Sequence, residues 1–229
     1  QRVEIPCLGE NELLKFKDAP KRNPWQYYVA LSYLKGRGIS EHTLKTYEIF
    51  VDIENECIVF PQRTRKGDLR FLQKRKIGEN FRGVKFINEG SPIKKDILFG
   101  LHHIEKLKTT PNRIRRVRLV ESPLDAMSNY QIGEPAVAQN GKILFWNQIK
   151  ELQYAGIEVV DLFYDNDHAG KQATIDATEK LIKLGFVVNH VTYPPQVRND
   201  DSQDSNKLLK MGLLEQVETK PVSLLGDLI

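Results

Sequence analysis

The chain has 229 residues, with 34 Lys or Arg against 30 Asp or Glu and a formal net charge of +4, a length that buries a core for one large domain or two modest ones. Cys7 and Cys57 are its two cysteines, which excludes a zinc ribbon or a disulfide framework and suits a reducing cytosol. No apolar run approaches the roughly 20 residues of a membrane span and no signal peptide is visible, so a cytoplasmic place, or a host's cytoplasm for a phage-encoded chain, without membrane contact is expected; Gln1 in place of methionine suggests a piece of something longer.

Residues 1–20 are polar and mixed, and Pro20 and Pro24 mark irregular chain. Residues 25–34 predict a helix with Trp25, Tyr28, Val29 and Leu31 on roughly one side, stopped by Gly36-Arg37-Gly38. Ser40 is a good N-cap for a short second helix through Tyr47. From Cys57 the period changes to two. Residues 57–60, 69–72 and 84–87 read as antiparallel strands, with Arg65-Lys66-Gly67-Asp68 as a turn. Residues 60–118 hold 17 Lys or Arg against 5 Asp or Glu, whereas residues 119–229 hold 9 against 16. Such segregation suits one part that tracks a phosphate backbone beside another that holds cations; a solvated charged surface is the plainer alternative.

Past Val117 the pattern alternates. Strands are expected over 117–120, 135–138, 157–164 and 186–193, with helices from Pro123, over 145–154, over 169–184 and near 206–211. Asn140-Gly141 is a turn signal, and Gly156 and Gly185 are helix stops. The βαβ succession argues an α/β fold, a parallel sheet flanked by helices, preceded by a smaller mixed α+β basic unit. The expected divisions are 1–116, 117–215, and a tail or linker over 216–229 whose leucines suit docking.

Three acidic clusters follow the strand-like runs: Glu121 and Asp125, Asp165 and Asp167, and Asp204. Parallel strands deliver all three to the carboxyl edge of one sheet, where open α/β sheets keep their sites. Carboxylates crowded there repel one another unless a cation holds them, and hard oxygen ligands suit Mg²⁺ or Mn²⁺. Taken singly, each cluster has a structural alternative. Asp167 and Asp204 both stand where a helix needs an N-cap, Asp200 and Asp201 read as solvated loop acids, and Asn166 fits a tight turn. His102 and His103 lack a partner at metal-ligand spacing and read as surface or packing residues, and Trp146 reads as core.

Together the clusters carry a resemblance. Glu121-Ser122-Pro123-Leu124-Asp125-Ala126, Tyr164-Asp165-Asn166-Asp167-His168-Ala169-Gly170 and Asp204-Ser205-Asn206 resemble the Toprim fold of primases and topoisomerases. Ala169-Gly170-Lys171-Gln172-Ala173 resembles its primase branch, and Asn140-Gly141 falls where that family has a small loop near the site. Upstream, Tyr33-Leu34-Lys35-Gly36-Arg37-Gly38-Ile39-Ser40, Phe60-Pro61-Gln62-Arg63, Val84-Lys85-Phe86-Ile87-Asn88 and Leu98-Phe99-Gly100-Leu101 are similar to the RNA polymerase domain of bacterial and phage primases. The resemblance covers about residues 33–215. The chain departs from the family in lacking a zinc-ribbon module, in Asn206 where aspartate is common, and in Asn166 where glycine is frequent.

That resemblance implies template-directed synthesis of short RNA primers on single-stranded DNA from ribonucleoside triphosphates. It implies Asp165, Asp167 and Asp204 as metal ligands, Asp125 in support, and Glu121 as either ligand or general base. Arg63, Arg75 and Lys85 are implied to contact template or nucleotide phosphate, with Asn140 and Lys171 as further nucleotide contacts. Phe71, Phe81 and Phe86 stack on bases or pack in a core. A replicative helicase and a separate or trimmed zinc module are the expected partners. The alternatives are a Toprim nuclease with a similar acidic set, and a non-catalytic single-strand-binding module of a helicase.

Overall fold

Two sheets meet along one side of the computed structural model, which describes residues 7–77, 84–90, 94–107 and 114–222. The chain opens with three short helical turns, the last two being α1 (Leu14–Lys17) and α2 (Ala19–Arg22). α3 (Pro24–Gly36) follows, its proline in the first turn, where no N–H is required. Asn23 caps it by accepting from Gln26 N at 3.1 Å. Ser40 caps α4 (Glu41–Thr46) as expected, accepting from Thr43 N at 3.2 Å.

The apolar face of α3 is not the expected one. Trp25, Tyr28 and Val29 are exposed, at 71%, 62% and 44%. The helix instead buries Ala30 and Leu34 and packs Tyr27 and Leu31 partly against the core, the spacing of a single helical stripe. Bulk in the sequence pointed to one side, and the smaller residues mark the side that packs.

The first sheet is antiparallel throughout, in the order β1 (Phe50–Asp52), β2 (Cys57–Arg63), β3 (Leu69–Lys76), β4 (Phe86–Gly90). β1 is an addition to the three strands read from the sequence, and β2 and β3 run several residues further than expected. A 3₁₀ turn over Lys94–Asp96 and α5 (Leu101–Leu107) lead to the second sheet.

That sheet has the order β6-β5-β7-β8-β9, from β5 (Arg116–Val120), β6 (Ala136–Ala138), β7 (Val159–Leu162), β8 (Val187–Thr192) and β9 (Glu218–Pro221). The first four are mutually parallel, and β9 pairs antiparallel with β8. Segment 216–229, expected as a tail, therefore supplies an edge strand; Leu224 and Leu225 lie outside the described residues. α6 (Pro123–Gln131), α7 (Trp146–Tyr154), α8 (His168–Lys183) and α9 (Ser205–Lys210) connect and flank the strands. Gly185 ends the α8 connection at φ 84°, a left-handed position that favours glycine. Trp146, expected in the core, opens α7 half exposed, at 49%.

Period two sends β-sheet residues into two cores. Val117, Leu119, Val137, Val160 and Leu162 join Ile149, Leu152 and Leu181 on one face. On the other face Val120, Ala136, Ala138 and Phe163 pack with Leu34, Leu44, Phe60 and Phe99. The second core thus runs from α3 through the antiparallel sheet to the parallel one, and an isolated bridge from Phe99 to Ala138 joins the two parts. No described helix is long and apolar enough to cross a membrane.

Leu34→Ala should lower stability by about 2–5 kcal/mol by opening a cavity in the shared core, whereas Tyr28→Ser should stay within about 0.5 kcal/mol. Urea unfolding of both variants checks this, and equal losses would contradict the assigned face.

Candidate nucleotide and metal cleft

β5 ends at Val120, and Glu121 follows with its side chain buried, at 7% exposure. Its Oε1 accepts the Asp165 N–H at 3.1 Å, which links the first acidic cluster to the second. Ser122 caps α6, and its hydroxyl donates to Asp125 Oδ2 at 2.5 Å. Asp125 Oδ1 accepts from Asn206 N at 3.1 Å, so the first cluster also holds the third. Asp165 stands just past β7, beyond the buried pair Phe163 and Tyr164.

Asn166 and Asn206 have structural work. Asn166 Nδ2 donates to the carbonyls of Arg198 at 2.8 Å and Asp200 at 3.0 Å, and its N–H donates to Gln203 O. It thereby clamps the loop that leads to Asp204, rather than serving as a left-handed turn residue. Asn206 Nδ2 donates to Arg37 O at 2.8 Å and Ser128 Oγ at 3.0 Å, while its Oδ1 accepts from Arg37. An amide suits this bridge because it must donate and accept at once.

Asp167 and Asp204 both cap helices, as their positions allowed. Asp167 Oδ1 accepts from Gly170 N at 2.6 Å, and its Oδ2 pairs with Lys142 at 2.9 Å. Asp204 Oδ1 accepts from Lys207 N at 2.7 Å. Gly170 is required by close approach: a Cβ there would lie 2.1 Å from the Asp165 carbonyl oxygen.

Burial is the first cause that pushes Glu121 up to about 7, with Asp125 and Asp167 adding to it against the Asp165 N–H and Lys142. Burial likewise raises Asp125, helped by the charges of Asp204 and Asp165. Asp165 is raised by burial, then by Glu121, Asp204 and Asp167. Asp167 goes the other way, lowered chiefly by its bond to Lys142. The carboxylates thus repel one another in a site that solvates them poorly.

Glu121, Asp125, Asp165 and Asp204 line a cleft of about 460 Å³ together with Arg37, Arg75, Lys85, Lys94, Lys142, Lys207 and Phe86. Arg75 Nε donates to Tyr33 Oη at 2.8 Å, and its guanidinium lies 5.3 Å from the Phe86 ring centroid. Burial, then Arg75 and Arg37, lowers the Lys85 ammonium, while Asp204 and Asp165 act against the shift. Arg37, Lys94, Lys142 and Lys207 were not singled out in the sequence. Lys142 and Lys207 each sit two or three residues past a residue that was.

Two expected contacts stand elsewhere. Arg63 pairs with Glu48 at 2.9 Å and with Glu10, donates to Gly67 O at 2.9 Å, and is buried outside the cleft. Lys171 lies on the outer side of α8, paired with Asp201 at 3.1 Å. Asn140 does line the cleft, in the left-handed region at φ 62°. Phe71 is core, Phe86 lines the cleft, and Phe81 lies outside the described residues. His102 and His103 are packed inside, and burial pushes them down to about 2 and about 4.

Among the described residues no three His, Cys, Asp or Glu side chains form a ready-made metal cage. Mg²⁺ does not require one: it keeps several waters and binds through one or two carboxylates plus substrate phosphates. The acidic wall fits that demand, with Asp167 held apart by Lys142.

Residues 118–209 match the Toprim-like family, so this part of the chain is a Toprim-like domain. The chain as a whole has the fold of the catalytic core of DnaG-type primases. A DnaG primase catalytic domain bound to single-stranded DNA superposes with a TM-score of 0.72 at 21% identity, covering 93% of this chain and 77% of that one. The DNA primase of Chlamydia pneumoniae is 30% identical over 179 residues, 75% of this chain and 30% of that protein. The DNA primase of Lactococcus lactis subsp. lactis (strain IL1403) is 24% identical over 237 residues, 86% of this chain and 37% of that protein. The chain therefore spans about a third of the length of these curated relatives.

Gly170→Ala should destabilise the protein by about 1–3 kcal/mol, because the Asp165 carbonyl has to move aside. Urea unfolding measures this, and an unchanged midpoint would contradict a tight packing at that position.

Proposed function

We propose that this chain is the catalytic core of a DNA primase, joining ribonucleotides on a single-stranded DNA template. The observation that carries the reading is a single cleft lined both by carboxylates of the Toprim-like domain and by Arg75 and Lys85 from the antiparallel-sheet part, with Arg37 at the end of α3. The single-stranded DNA held by the similar DnaG catalytic domain supports the choice of template.

In the reaction a primer 3′-hydroxyl attacks the α-phosphate of an incoming triphosphate, and pyrophosphate leaves. Bound Mg²⁺ or Mn²⁺ supplies charge neutralisation and a lowered hydroxyl pKa. Asp165 and Asp204 are the first candidates to hold it, with Asp125 behind them, tied to the Asn206 N–H. Glu121, oriented by the Asp165 N–H, is either a further ligand or the group that takes the hydroxyl proton. Arg75, braced by Tyr33, and Lys85 hold the triphosphate or template backbone, which positions nucleic acid without reading its sequence. Start-site choice and strand opening then fall to zinc-binding and helicase partners. Cytoplasmic placement belongs to the same reading.

A Toprim nuclease would use a similar acidic wall for cleavage. The opposing cationic sheet favours joining, since a triphosphate and a template both need anion contacts there. A binding relic would have little need for four carboxylates in one cleft.

Incubating the protein with labelled ribonucleotides, single-stranded DNA and Mn²⁺ should give short RNA, which Asp165→Ala should abolish. Template degradation, or no product with DNA binding intact in both proteins, would overturn the reading. Single-strand affinity should fall with salt, and Lys85→Ala should reduce the slope of log K against log salt by about 0.7. Lys171→Ala, outside the cleft, should leave that slope unchanged; an equal drop would contradict the assigned anion wall.

A further inference from the structure

The antiparallel sheet turns a row of amides toward the acidic edge. Gln73 on β3 pairs opposite Phe60 on β2 and Asn88 on β4. Gln62 lies two residues beyond Phe60, so period two gives Gln62, Gln73 and Asn88 one face, shared with Arg75 and Phe86. From the turn after β6, Asn140 Nδ2 donates to Gln62 Oε1 at 2.9 Å. That bond leaves Gln62 Nε2 and Asn140 Oδ1 without partners among the described residues, and Gln73 Oε1 and Asn88 Oδ1 have none there either. Gln62, Gln73 and Asn140 are at most 7% exposed, and unpaired amide atoms so deeply buried call for a partner. Gln73 and Asn140 line the cleft together with Asp165, Asp204 and Lys85.

We propose that Gln73 and Asn140, backed by Gln62, hold the sugar hydroxyls of the bound nucleotide and make the cleft selective for ribonucleotides over deoxyribonucleotides. The inference rests on the primase reading. A nucleotide whose phosphates lie between the acidic and cationic walls has its sugar within the same cleft, where these amides stand. Their chemistry suits a hydroxyl in particular. If Gln62 and Asn140 turn their amides over together, the bond between them survives and Asn140 presents a donor instead of an acceptor. A hydroxyl both donates and accepts, so it satisfies either arrangement. A base edge is the competing ligand. An enzyme that copies any template has to admit four different edges, whereas the 2′- and 3′-hydroxyls are common to every ribonucleotide. A site built to bond a hydroxyl discriminates strongly against the analogue that lacks it.

Equilibrium binding of ATP, CTP, 2′-deoxy-ATP and 3′-deoxy-ATP in Mn²⁺ tests this in the wild type, Gln73→Met and Asn140→Gly. The methionine preserves volume, and the glycine tolerates the left-handed backbone at position 140. The wild type should bind ATP at least about tenfold more tightly than one of the deoxy analogues. Both variants should lose that preference, with ATP weakened to the level of the analogue and the analogue unchanged. Equal wild-type affinities for ATP and both analogues would overturn the proposal. So would variants that weaken every nucleotide alike, which would mean that water fills the amide row. A loss confined to the difference between ATP and CTP would assign the row to bases instead. Binding of none of the nucleotides would overturn the primase reading and the sugar seat with it. If Gln73→Met fails to fold, the wild-type comparison and Asn140→Gly still decide.

Discussion

Like charge held out of water is the constraint on which the rest depends. Glu121, Asp125 and Asp165 are all raised, by burial first and by neighbouring carboxylates after it. Nothing about a parallel sheet requires such crowding; the crowding follows from three strand ends that open onto one edge. The fold tolerates it in part because Glu121, Asp125 and Asp167 have fixed donors. Asp165 N–H holds Glu121, Asn206 N–H holds Asp125, and Gly170 N–H with Lys142 holds Asp167. The first two of these bonds run between clusters, so an acid from one βα unit is set by the backbone of another.

The antiparallel sheet is part of the same device. Its Phe60 shares a core with Leu124 and Phe163 of the Toprim-like domain, which fixes Arg75 and Lys85 across from the carboxylates. Arg37 reaches the cleft from the end of α3, and Asn206 holds that turn to the third acidic cluster. Cation and anion walls thus come from distant stretches of chain, and in the proposed reading the triphosphate and its metal complete the charge balance between them. Arg63 serves a different end. Its pairs with Glu10 and Glu48 tie the N-terminal helical turns to β2, so its charge is spent inside the protein.

Much of the strand and helix succession was legible because parallel strands advertise themselves as apolar runs separated by amphipathic helices. The cap at Ser40, the helix start at Pro123 and the stop at Gly185 were equally plain, since each reflects a local backbone need. Four features were hidden. β1 and β9 are short edge elements of three and four residues, too brief for a period to show. The packing face of α3 was misread because Trp25 and Tyr28 outweigh Ala30 in hydrophobicity, although only shape decides which side fits. Arg63 and Lys171 carry the right charge for phosphate, and only the fold reveals that Glu10, Glu48 and Asp201 reach them first. The Gln62–Asn140 contact joins residues 78 positions apart and has no sequence signal at all.

The most direct test of the central claim is the melting temperature of the wild type and Asp165→Asn with and without Mn²⁺. Crowded carboxylates relieved by a cation predict that Mn²⁺ raises the wild-type melting temperature in a concentration-dependent way. They also predict that Asp165→Asn melts above the wild type in the absence of metal and responds little when Mn²⁺ is added. A wild type indifferent to Mn²⁺, beside a variant that melts lower than it in the absence of metal, would contradict the account.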